Sequence, residues 1–311
     1  MASGDFRDQL LSGLGGPWPK PCPLKPKVID KNQKDGFRIE TITYEVEPGD
    51  RVPALLLVPD GASRDRPAPG IGIWHQHAGQ WNLGKSEPAG LAGNPMHHTG
   101  AALAREGYVV LCPDALGFEE REKGYRLKGR NLERYLFLKY VVAGKCMAWK
   151  NILDMRRAID YLTSRAEVKS DAIGCYGHSM GSTHMWLVGP WEPRLKALVG
   201  NCCLPTYRGI HRKQLLHCFP NFIPAIHQYG DTPDIAALIA PRALHMNFGE
   251  NDGGSPIEDV RWGVEIIKRA YESQHAEKNF THYIEEGSGH VLSDEMWKRT
   301  KDFFAKHLKN A

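Results

Sequence analysis

The sequence predicts an α/β domain: a doubly wound, mostly parallel sheet with an N-terminal antiparallel hairpin and two cap-forming insertions. Three observations predict it. Short apolar runs alternate with amphipathic helical stretches from about residue 68 onward, the pattern of strand–helix units whose sheet is covered on both faces. Before them, FRIETITYEV alternates apolar with polar residues and is joined by PGD to VPALLLVP, as a hairpin is. Two segments, 118–147 and 203–240, break the alternation where a strand should end, the edge at which such sheets carry their sites.

The elements follow in order. Residues 1–36 contain PWPKPCPLKPK, which cannot be helical and predicts an extended arm on the domain that spans 37–311. After the hairpin, GIGIWH reads as a buried parallel strand. HHTGAALAREG reads as a short helix closed by Gly107, and YVVLCPD as a strand ending at Asp114. WKNILDMRRAIDYLTSR places Ile152, Met155, Ile159 and Leu162 on one helical face. DAIGCYG, LKALVGNC and RALHMNFG read as three more strands. A helix with Ile257, Val260, Val264 and Ile267 in register separates the last of them from THYIEEG. The final helix starts near Ser293, a good cap, with Asp294 and Glu295 in its positive first turn.

Composition narrows the function classes. Forty Lys and Arg against 36 Asp and Glu leave a net charge of +4, too mild to imply nucleic acid or an anionic membrane as partner. No stretch approaches the ~20 apolar residues of a membrane-spanning helix, and MASGDFRDQLLSGLGG lacks a signal-peptide core. Seven cysteines without a CxxC pair, two of them (Cys112 and Cys175) inside apolar runs, suggest free thiols in a reducing, cytoplasmic setting.

The chemistry rests on Gly177-His178-Ser179-Met180-Gly181, the one GxSxG in the chain, set between a strand and a helix. A serine on so tight a turn has its hydroxyl pushed out of the sheet edge toward the free N–H groups of the helix. It needs a base, and the base an orienting carboxylate. Glu250-Asn251-Asp252-Gly253-Gly254 follows one strand and Ser288-Gly289-His290 the next. Asp252 and His290 thus complete the chain order Ser, Asp, His, with Glu250 and Asp259 as alternative carboxylates.

On these residues the sequence, from about Phe37 to the C-terminus, resembles the α/β-hydrolase superfamily. The dienelactone-hydrolase-like and acetyl-xylan-esterase-like branch is the nearest, through RRAIDYLTSRAEVKSDAIGCYGHSMGS, PRALHMNFGENDGG and EEGSGH. The resemblance implies cleavage of a small-molecule carboxylic ester, with Ser179 as nucleophile, His290 as general base and acid, and Asp252 as orienter. Amide cleavage on the same triad, or a non-catalytic binding protein of this fold, are the competing readings. Dienelactone hydrolases proper carry cysteine where this chain has Ser179, which weakens a lactone substrate. The oxyanion hole is expected to use the N–H of Met180 and one from His75-Gln76-His77-Ala78-Gly79, His77 first and Ala78 next. Gln76 stands where related esterases have glycine.

No cofactor is expected. His75, His77 and Asp114 invite a zinc reading, but no second ligand motif supports it and no metal is expected. The basic insertion around Arg121, Arg126, Arg130 and Arg134 reads as a solvated lid face, with an anionic-substrate cap as the alternative. Trp81 and Trp149 are candidate pocket walls, Trp186 a core residue, and Glu119, Glu120 and Arg121 candidates to face the cleft.

Overall fold

The computed structural model describes residues 3–309. Nine strands form one sheet in the order β1-β2-β3-β5-β4-β6-β7-β8-β9. Strands β1 (Lys27–Lys34), β2 (Phe37–Glu47), β3 (Asp50–Pro59) and β5 (Val109–Pro113) pair antiparallel in turn. From β5 onward every pairing is parallel, through β4 (Ala68–Trp74), β6 (Val168–His178), β7 (Leu195–Asn201), β8 (Ala243–Gly249) and β9 (Phe280–Glu285). Each strand read from the apolar pattern is present.

Alternation along the strands divides the core into two faces. Leu56, Val58, Val109 and Leu111 face one side, with α4 (Met147–Thr163), α5 (Met180–Val188) and α8 (Ile257–Glu272) packed on it. Leu55, Leu57, Val110 and Cys112 face the other, beneath α2 (Thr99–Arg105) and α9 (Asp294–Phe304). Ser293 caps α9, its hydroxyl accepting the Met296 N–H.

The N-terminal region departs from the expected extended arm. Ser3–Leu14 form a helix, α1, whose Phe6, Leu10 and Leu14 recur every fourth residue and are buried in the first core. Residues 27–34 form β1, which adds a third strand to the hairpin. Its residues are all exposed, and its register shifts between Val28 and Asp30. Only the proline-rich stretch between them lacks regular structure. It is tied down by Trp18 Nε1 donating to the Trp149 carbonyl (2.9 Å) and by the Leu24 carbonyl accepting the Glu45 N–H (2.7 Å).

The chain runs from β4 to β5 on one side of the sheet and then places β6 on the other, so strand order reverses between β4 and β6. Ligands of open α/β sheets bind outside the carboxyl ends of strands at such a point. Both candidate site segments, 75–79 and 177–181, leave the sheet there.

Candidate active site

Ser179 occupies the turn between β6 and α5 with φ 57° and ψ −120°, a conformation L-residues rarely adopt. Crowding explains the flanking glycines. A Cβ at Gly177 would lie 1.9 Å from the Gly181 carbonyl oxygen, and one at Gly181 would lie 1.9 Å from that of Trp74. Two backbone bonds anchor the turn: the Ser179 N–H to the Asn201 carbonyl (2.9 Å) and the Thr183 N–H to that of Ser179 (3.1 Å).

Three residues distant in sequence meet at this turn. His290 Nε2 lies 2.8 Å from Ser179 Oγ, and His290 Nδ1 lies 2.7 Å from Asp252 Oδ2. Asp252 is 4% exposed, and its Oδ1 accepts the Gly254 N–H at 2.9 Å. The loops carrying the two residues are bonded to each other: the Asn251 N–H donates to Ser288 O (2.7 Å) and the Glu250 N–H to Glu285 O (3.0 Å). The alternative carboxylates are engaged elsewhere. Glu250 accepts the Gly287 N–H, and Asp259, buried on α8, pairs with Arg208 and Arg212.

Behind His290 lies a layer of neutral groups. The His178 ring is tilted against that of His290, centroids 5.2 Å apart, and the His97 ring against that of His178 at 4.6 Å. Burial, reinforced by the neighbouring imidazoles, holds His178 well below the usual histidine range. Asn201 Nδ2 donates to His178 Nδ1 (2.7 Å) and to the Val291 carbonyl (3.2 Å), which steadies the backbone next to His290.

The loop after β4 forms the opposite wall. The backbone N–H groups of His77 and Met180, and that of Ala78, the alternative donor, have no backbone acceptor among the described residues. The loop is bent at Ala78 (φ 48°) and Gly79 (φ 67°). Ser179, His290 and this loop border a cavity of about 760 Å³. Both insertions supply walls: Arg130, Glu133 and Arg134 come from α3 (Gly129–Val142), and His217, Phe219 and Phe222 from the second, between its helices α6 (Tyr207–Lys213) and α7 (Thr232–Ala237). With Trp81, the cavity offers an apolar surface with a few polar groups, the composition of small-molecule sites.

A family model described as "Abhydrolase family" matches residues 18–290. The chain belongs to the Abhydrolase family. This abhydrolase is 28% identical over 307 residues to "Putative hydrolase YtaP" of Bacillus subtilis (strain 168), covering 97% of this chain and 99% of that protein. Its fold is that of a glucuronoyl esterase from Solibacter usitatus (TM-score 0.71, 17% identity, 98% of this chain and 92% of that one). It is also that of an acetyl xylan esterase from Paenibacillus sp. R4 (TM-score 0.64, 15% identity, 98% and 94%). At these identities the likeness is one of fold, and the α/β-hydrolase architecture read from the sequence is the one present.

Several expectations at the rim need correction. Trp149 walls no part of the cavity; it is buried, and its ring stacks on Trp18. Glu119 and Glu120 turn away from the cleft to Lys85, whose Nζ sits 2.6 and 2.9 Å from them and 2.9 Å from Asp114. These carboxylates lie as close together as metal ligands, yet the lysine supplies the cation, and its pKa is pushed up in consequence. Arg121 is buried against Asp154 at 2.5 Å. The considered histidine chelate is spoken for: His75 bonds the Gln76 carbonyl and the Ala115 N–H, and His77 bonds Glu133 and the Gly79 N–H.

The abhydrolase pocket also contains residues the sequence did not single out. His217 Nδ1 accepts the Cys218 N–H (3.1 Å) and Asn221 Nδ2, which leaves its proton on Nε2 as a neutral donor. Burial pushes its pKa down to about 4. Glu133 is 2% exposed beside His77 and Trp81. Both lie in insertions without a motif, so no local pattern marks them.

Proposed function

We propose that this protein hydrolyses carboxylic esters of small molecules by acyl transfer through Ser179. One observation carries the reading: an unbroken hydrogen-bonded series from Asp252 through His290 to Ser179 Oγ, at 2.7 and 2.8 Å, opening on a cavity. His290 takes the serine proton as Oγ attacks the ester carbonyl, and the resulting oxyanion is met by the N–H groups of His77 and Met180. The C–O bond to the alcohol breaks as His290 returns the proton to it. Water, deprotonated by the same imidazole, then attacks the acyl-enzyme and frees the acid and Ser179. The glucuronoyl esterase and the acetyl xylan esterase that share the fold are ester hydrolases, which supports ester over amide as the bond cleaved.

The test is turnover of p-nitrophenyl acetate beside the matched anilide, with labelling by a fluorophosphonate. The ester is expected to be cleaved faster. Ser179→Ala should abolish turnover and labelling with the melting temperature little changed. A variant retaining full activity refutes the assignment.

A further inference from the structure

The loop that would present the His77 N–H is closed by a turn bond from the Gln80 N–H to the His77 carbonyl (2.9 Å) and is held as well from outside its own segment. His77 Nδ1 accepts the Gly79 N–H at 2.9 Å, so the ring proton sits on Nε2. Nε2 then donates to Glu133 Oε2 at 3.0 Å, and Trp81 Nε1 donates to the same oxygen at 2.9 Å. One carboxylate thus grips both ends of the segment 77–81. It comes from helix α3 of the first insertion, where Glu133 points inward while Arg130 and Arg134 on the same helix are exposed.

What the grip maintains is costly. Ala78 is left-handed at φ 48° without being glycine, a conformation that persists only where surrounding contacts over-determine it. Burying the carboxylate is costly as well. It has no lysine or arginine partner among the described residues, and its Oε1 has no hydrogen-bond partner there. Phe118 and Trp81 complete the clamp, their rings edge-on to His77 at 5.1 and 5.0 Å.

We infer that Glu133 is a positioning residue for the oxyanion loop, so that seating α3 on the body of the protein and orienting the His77 N–H are a single event. This rests on the acyl-transfer reading above. Donors that stabilise a transition state act through fixed placement, so slackening the loop lowers kcat more than it raises KM.

The experiment compares wild type, Glu133→Ala, Glu133→Gln, His77→Ala and the Glu133→Ala/His77→Ala double variant. The measurements are kcat and KM for p-nitrophenyl acetate, the rate of fluorophosphonate labelling, and melting temperature. His77→Ala keeps the backbone N–H and removes only the imidazole that the clamp holds. Glu133→Ala and His77→Ala are each expected to lower kcat by about 100-fold, the loss typical of forfeiting one oxyanion donor, with KM little changed. The double variant should be no worse than the worse single one, because both break the same link. Glu133→Gln, whose amide oxygen can still accept both N–H groups, should recover most of the activity. Should Glu133→Ala not fold, Trp81→Phe removes one of the two donors and should give a smaller loss, again in kcat. Additive losses, an unchanged kcat, or a rise confined to KM would overturn the inference. Wild-type protein inert to both ester and probe would overturn the acyl-transfer reading together with it, whereas active wild type with unaffected variants would overturn this inference alone.

Discussion

Both oxygens of Asp252 are committed, Oδ2 to His290 and Oδ1 to the Gly254 N–H. In Asp252→Asn the amide oxygen would stay on Gly254, leaving Nδ2 to donate to His290 Nδ1. The ring proton would then move to Nε2, where it cannot accept from the serine hydroxyl. A fall in kcat of roughly 10⁴-fold is expected, as when an orienting carboxylate is lost, with urea stability nearly unchanged. A fall below tenfold would show that the carboxylate does not set the tautomer. The sequence shows all three residues because the elbow motif and the strand ends are local patterns. The choice among Asp252, Glu250 and Asp259 is not local. It depends on which side chain turns toward the histidine loop, and Arg261, Arg208 and Arg212 draw the other two away.

Helix α1 shows where reading by element fails. The proline-rich PWPKPCPLKPK suggests an extended arm over residues 1–36, yet Phe6, Leu10 and Leu14 meet a core that lies far along the sequence. Leu10 is fully buried, so Leu10→Ala is expected to cost about 3 kcal/mol, within the usual range for a buried leucine. The urea midpoint should fall with an unchanged denaturant slope; an unshifted midpoint would mean that α1 is not docked in solution. Strand β9, at the sheet's edge, is only partly buried, but strands β4 through β8 were legible because burial on both faces demands apolar runs. Strand β1 was not, since KVIDKNQK buries nothing and is ordered by pairing with β2. The insertions could be located as breaks in the alternation, but the helices in them take their position from tertiary contacts such as Glu133 with His77.

Across the whole molecule, burial holds His75, His217 and His245 down to about 4 and His184 to about 3, against a usual 6.5. Unfolding releases them to their ordinary value, so below pH 6.5 the unfolded chain binds more protons than the folded one. The stabilisation from keeping them neutral is complete above that pH and is lost as pH falls toward 4. Each contributes a slope of up to about 1.4 kcal/mol per pH unit in that window. Carboxylates held low by cations, such as Glu40 beside Arg38 and Arg165, act in the same direction but only below their usual 4.5. Asp114, whose carboxyl is raised by burial from 3.8 to about 7, acts in the opposite sense over the same window and offsets one ring. Urea midpoints are therefore expected to decline from pH 6.5 to pH 5, because four rings outweigh one carboxylate. A flat profile there would contradict neutral burial of these rings.

The outermost strand, β1, bears on the molecule's behaviour in a crowded solution. A sheet margin with unpaired N–H and carbonyl groups is a template onto which a foreign chain can add, and Val28 and Ile29 would reward such growth. The slip in pairing between Val28 and Asp30 interrupts the straight row of donors and acceptors beside those two residues, and Lys27, Lys31 and Lys34 charge the remainder. Fibre-like stacking through this margin is thereby discouraged, and the protein can end its sheet in water without a helix to cover it.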